Sequence, residues 1–130
     1  MATTTLVVLL VASFCLLGES APVNPGQVKS YVYASRGRTS GFLNSALKQA
    51  LHKQMVVSDE EQKKCVAKTG AYGVVVGQKR LTEVTDQLLG EYQMVDSTVD
   101  FVEVQQNVDA AFKQVSNEVL QATLVEMNKC

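Results

Sequence analysis

Two cysteines, one histidine, a cluster of glycines, a dibasic pair and a scatter of carboxylates are the residues of this chain that chemistry could use beyond its first twenty positions. Cys65 and Cys130 are alone in that part of the chain, and Cys130 is the last residue. Paired as a disulfide they cannot act as nucleophiles, because the reactive species of cysteine is the thiolate. His52 falls on the polar side of an apolar-periodic stretch and reads as a solvated residue. No His, Cys and carboxylate trio stands at the spacing of zinc ligands, so no metal is expected. Glu83, Asp86, Glu91, Asp109 and Glu118 recur along helical faces as solvated surface, not as an acid/base pair. No catalytic residue, cofactor or enzymatic reaction is therefore expected.

The stretch GAYGVVVGQKR at 70–80 contains two further signals. It has no Gly-Lys-Ser/Thr and no preceding strand pattern, so it is not a phosphate-binding loop. On a helix, Gly70, Gly73 and Gly77 instead open a shallow groove in which another helix, or an apolar ligand, can lie close. Val74, Phe101, Val104, Val108 and Phe112 complete the apolar seam expected to line it. Lys79-Arg80 is a dibasic pair of the kind cut in peptide precursors, although it sits within a continuing apolar period and not in a flexible polar linker.

The compartment follows from the first residues. Positions 6–17 form an apolar run of signal-peptide length, too short to span a bilayer, and Gly18 and Ser20 supply the small residues that a signal peptidase reads. The expectation is a signal at 1–20, although its first five residues lack Lys and Arg. The remainder then enters an oxidising compartment, where Cys65 and Cys130 pair by default and a bridge between two chains is the rival. No Asn-x-Ser/Thr acceptor follows the signal.

Charge is divided along the chain. Residues 21–57 carry Lys29, Arg36, Arg38, Lys48 and Lys53 with no acid, whereas 58–130 carry twelve acids and seven bases. Either the basic head neutralises the acidic body within the fold, or it meets an anionic partner. The acidic long helix fits a membrane-surface role poorly, and for the same reason no nucleic acid is expected as a partner.

Three helices are expected to position these residues. Residues 21–40 hold both prolines, two glycines and the Tyr31-Val32-Tyr33 cluster, with no sustained helical period, and read as an extended basic leader. Leu43, Ala46, Leu47, Ala50 and Leu51 share one arc of an amphipathic helix over about 41–57, capped by Thr39 or Ser40. Ser58 and Glu61 have the spacing of a capping box for a second helix. Its apolar face runs through Val66, Gly70, Val74, Gly77, Leu81, Val84, Leu88, Tyr92 and Val95, provided that three glycines, each costing about 1 kcal/mol relative to Ala, do not break it. Asp96 or Ser97 caps a third helix, with Asp100 in its first turn. Here the period is clearest: Phe101, Val104, Val108, Ala111, Phe112, Val115, Val119 and Ala122 fall within about 100° of arc. Glu126 lies on the apolar side, as a frayed end or a paired carboxylate.

If the second and third helices fold back on each other about residues 96–98, positions facing one another have numbers summing to about 194. Cys65 then faces the neighbourhood of Cys130. One detail opposes this pairing, since in an unbroken helix Cys65 points about 160° away from Leu81. Either the glycines reset the helical phase or Cys130 reaches around from beyond its helix.

The expected fold class is all-α: a small helical bundle with a long antiparallel helical hairpin (about 59–94 and 98–129) and a shorter N-terminal helix (about 41–57), as a single domain over 41–130. The expected function is a secreted, extracellular, non-enzymatic binding or interaction protein, carrying a small apolar ligand between its helices. The alternative is a peptide precursor processed at Lys79-Arg80. An extracellular protein, a small apolar ligand and a second copy of the chain are the partners open to it, with no stable membrane anchor.

Overall fold

The computed structural model describes residues 24–93 and 99–130. Three long helices, α1 (Pro25–Val56), α2 (Glu60–Glu91) and α3 (Phe101–Asn128), pack as an up-down-up bundle, with no strand among the described residues. The all-α class and the long hairpin are as expected from the sequence. The proposed signal at 1–20 lies outside the described residues, as do Asp96, Ser97 and Val95.

The first helix is twice as long as the expected 41–57 element, and the extended leader is corrected to helix from Pro25 onward. Asn24 caps it: its side chain accepts from the Gln27 backbone N–H at 2.8 Å while its own N–H donates to Gln27 Oε1 at 3.4 Å. Pro25 occupies the first helical position, where its missing N–H costs nothing. The inward stripe of this segment was hidden because it alternates valine with small hydroxyls. Val28, Val32 and Ser35 are buried at helical spacing, followed by the half-buried Thr39 and then by Leu43 and Leu47. Each hydroxyl is satisfied inside the bundle: Ser35 Oγ donates to Asp109 Oδ1 at 2.7 Å, and Thr39 Oγ1 to the Ser35 carbonyl at 2.8 Å. Thr39 and Ser40 are therefore interior helical residues and not caps.

The second cap is shifted by one position. Asp59, not Ser58, accepts from Gln62 N–H at 2.8 Å and receives the reciprocal bond, with Glu60 and Glu61 favourably placed in the first turn. Ser58 instead closes α1 by donating to the Gln54 carbonyl. Asp100 caps α3, accepting from Val102 N–H at 3.1 Å.

The glycines do not interrupt α2. They are its contact points. A Cβ on Gly77 would stand 2.7 Å from Leu43 Cδ2 of α1, and one on Gly73 would stand 2.6 Å from both Cγ2 and Oγ1 of Thr123 of α3. The loss of helical propensity at these positions is offset by closer packing. Around this seam the core is closed. Leu43, Leu81, Val104, Val108 and Phe112 are fully inaccessible. At the far end Tyr31 meets Phe101 edge to face at 6.0 Å between centroids.

Cys65 and Cys130 form an intrachain disulfide, with Cα atoms 5.8 Å apart. Of the two routes open to that pairing, the second is taken. Cys65 is exposed beside the buried Val66, and Cys130 reaches it from past the end of α3, its N–H donating to the Met127 carbonyl at 3.1 Å. Met127 takes the inward position at this end, and the exposed Glu126 pairs with Lys129 at 2.8 Å.

Candidate functional site

α2 and α3 position the strongest candidate surface. Their antiparallel register is fixed by the Cys65–Cys130 bridge, by Gly73 against Thr123, by Gly77 against Val119 and by the Arg80–Glu118 ion pair. α1 covers one side of this hairpin. On the opposite side, between the disulfide and Arg80, a groove of about 640 Å³ remains open, with Gly73, Ala122 and Thr123 in its wall beside Val76 and Val119. Small residues set its depth, because glycine and alanine keep the two backbones close and leave no side chain to fill the space between the rims. Along its α2 rim Tyr72 is 71% and Val75 66% exposed. Two large apolar side chains facing solvent beside one concavity form a patch of the kind that marks binding surfaces, unlike single exposed apolar residues.

Charges frame the groove asymmetrically. Lys68 and Arg80 stand on the α2 side, Glu118 and Glu126 on the α3 side. Arg80 donates to Glu118 Oε2 at 2.9 Å, which, with a further bond from Gln114, holds that carboxyl below its ordinary value. Lys68 makes no ion pair among the described residues.

The expected seam is divided by the structure. Gly73 lines the open groove, whereas Gly70 and Gly77 are packing points against Leu51, Met127 and Leu43. Val104, Val108 and Phe112 are sealed in the core, with Val74 and Phe101 half-buried against it. No ligand-sized space lies between them and the helices. The rim residues sit about 100° or more from the inward stripe of α2, where Tyr72, Val75 and Val76 form a second apolar face that α1, packed on Gly70 and Gly77, leaves uncovered.

Lys79 and Arg80 lie in the middle of α2, with Arg80 tied to Glu118. His52 is exposed. Among the carboxylates read as solvated, Asp109 differs. It accepts from Tyr31 Oη at 2.5 Å and from Ser35 Oγ at 2.7 Å, and lies 3.6 Å from Arg38 Nη2, whose guanidinium also sits over the Tyr31 ring. Burial raises its carboxyl pKa, but the two hydrogen bonds and the Arg38 charge outweigh this and hold it below its ordinary value. Tyr31 is pushed up in turn, chiefly by donating to Asp109. This is one ion pair by which the basic head meets the acidic body, and it joins α1 to α3 at the edge of an open pocket of about 350 Å³ that Ser35, Arg38 and Asp109 help to line.

Among the described residues no three His, Cys, Asp or Glu side chains are placed to hold a metal ion, and no helix is long and apolar enough to cross a membrane. Compared with models of protein families, with curated proteins and with solved structures, the chain shows no match.

Proposed function

We propose that the chain is a secreted, non-enzymatic binding protein whose working surface is the α2/α3 groove, with an apolar partner as its occupant. The open concavity rimmed by the exposed Tyr72 and Val75 carries this reading. The apolar run at 6–17 and the disulfide support an extracellular setting, since such bridges persist in oxidising compartments. The sealed core supports binding on the hairpin's outer face in preference to binding between all three helices.

The precursor alternative is less well supported. Processing enzymes require extended backbone, and cutting at Lys79-Arg80 would first require the middle of a packed helix to unwind.

The test is titration of the disulfide-bonded protein, from residue 21 onward, with N-phenyl-1-naphthylamine, a neutral apolar fluorophore that brightens on leaving water. Saturable binding with a matching rise in melting temperature is expected, because a ligand of the native state opposes unfolding. Ala122→Trp should fill the groove from a solvent-facing position and abolish both effects while leaving the helical circular dichroism intact. Equal binding by this variant would overturn the assignment of the site.

A further inference from the structure

We infer that the groove is self-complementary, and that its occupant is the same face of a second copy of this chain. The inference rests on the groove being the binding surface, and charge placement carries it further. Both cations of the rim, Lys68 and Arg80, belong to α2, and both carboxylates, Glu118 and Glu126, belong to α3. The register of the hairpin places Lys68 level with Glu126 at the disulfide end and Arg80 level with Glu118 at the other.

Two twofold arrangements bring such faces together. With the axis perpendicular to the helices, α2 lies antiparallel on the partner's α2, so Lys68 meets the partner's Arg80 and Glu118 meets the partner's Glu126. Like charges would face one another at every corner. With the axis along the groove, α2 of each copy lies on α3 of the other. Lys68 then approaches the partner's Glu126, and Arg80 the partner's Glu118. The same rotation sets the large Tyr72 over the small Ala122 of the partner, large against small as interdigitating surfaces require. A twofold contact is isologous, so each favourable pair occurs twice.

The groove runs from Cys65 to Arg80, about 22 Å at 1.5 Å rise per residue. Two helices side by side at about 10 Å each therefore present roughly 450 Å² there, about half of what one partner buries in a standard specific interface, which suits a weak and reversible dimer. Apolar contact comes from Tyr72 and Val75, which lose their exposure there.

The experiment is sedimentation equilibrium of the disulfide-bonded chain from residue 21 over a wide concentration range, run beside the naphthylamine titration. A reversible dimer is expected. Tyr72→Asp should raise its dissociation constant at least about a hundredfold, since the substitution enters a central aromatic contact twice. Lys68→Glu should raise it about tenfold, and adding Glu126→Lys should restore it to within about threefold, because only the swapped pair recovers opposite charges across the axis. A monomer at every concentration that still binds the fluorophore through the groove overturns the second-copy inference and leaves the groove assignment standing. A monomer that does not bind it overturns both. A dimer indifferent to Tyr72→Asp, or one that the charge swap fails to rescue, also overturns the inference, because its contact lies elsewhere or in the other orientation.

Discussion

Gly73 and Gly90 are the same residue in the same helix, and the same substitution should have opposite effects at the two. A Cβ at Gly90 would meet nothing within 4 Å, so Gly90→Ala should stabilise the protein by about 0.5–1 kcal/mol through helical propensity alone. At Gly73 the new Cβ would meet Thr123 through Cγ2 and Oγ1 together, with Cβ itself at 3.2 Å. No rotation of Thr123 clears both branches, and its hydroxyl already donates to the Val119 carbonyl at 2.7 Å. The helices must separate, so Gly73→Ala should cost about 1–3 kcal/mol despite its better propensity, as read from chemical denaturation midpoints. Gly77 lies between these cases, because the atom in the way there is the movable end of Leu43. A second residue-scale prediction concerns pH. Asp109 is held below its ordinary carboxylate range, so its contribution is present above about pH 4 and is lost as pH falls through the depressed folded value. Tyr31 is raised, so its contribution is present below about pH 10 and is lost as pH rises through the folded value. The stability difference between Tyr31→Phe and the parent should therefore be roughly 1 kcal/mol on a plateau between about pH 5 and 9. It should shrink on both sides, which denaturation curves taken across pH would show.

At the scale of elements, what was readable in the sequence depended on how apolar the inward stripe is. α3 carries valine or phenylalanine at its inward turns from Val104 to Val119 and was legible over that stretch, but not beyond it, where Thr123 and Met127 take the inward positions and Ala122 is exposed, nor at its start, where Asp100 is the cap. α2 remained legible through its glycines because Leu81 and Leu88 kept the phase on one side of them and Val66 on the other. The first half of α1 was not legible, because Ser35 and Thr39 replace apolar residues where the stripe crosses Arg36 to Arg38, and Gly37 and Gly41 lower the propensity further. Tertiary contact decides the matter there, since Asp109 of a distant helix supplies the partner that makes a buried Ser35 acceptable. The Asn24–Gln27 capping box has no apolar run behind it to mark it as the start of a helix. The groove was illegible for a different reason: it is a property of two helices in register, and periodicity describes one helix at a time. If residues 24–40 were a leader, removing them would leave the remainder intact. Because Val28 and Val32 are inaccessible in the core, deletion through Ser40 should instead abolish cooperative unfolding, and Val32→Ala alone should cost about 2 kcal/mol, from lost burial and the space left behind. Melting curves that superimpose on the parent's would return this segment to the status of a leader.

The whole molecule is unequal along its length, and the disulfide stands at the weaker end. The main apolar cluster runs from Val28, Leu88 and Val104 through Phe112 and Leu81 to Leu47 and Val119, while Val66 and Met127, also buried, lie outside it toward Cys65 and Cys130. Gly70, with no side chain of its own, fills its turn only through the ends of Leu51 and Met127. Hydrogen bonding across this end is sparse: Gln54 Nε2 donates to Asn128 Oδ1 at 2.9 Å in an exposed position, where water competes. The bridge joins residues 65 apart in sequence, so reduction restores unfolded-state freedom worth roughly 4 kcal/mol in the chain-entropy view, a large part of the stability of so small a domain. The loss should not be shared evenly. With the bond gone, the first turns of α2 and the last turns of α3 are held by few contacts and should open locally before the rest unfolds. Amide hydrogen exchange on the Cys65→Ser/Cys130→Ser protein should therefore accelerate most over residues 62–70 and 120–128, while amides around Leu81, Val104 and Val108 exchange only by global unfolding at a lowered denaturant midpoint. Uniform acceleration along all three helices would mean that the bundle has no weak end and that the bond acts on the unfolded chain alone.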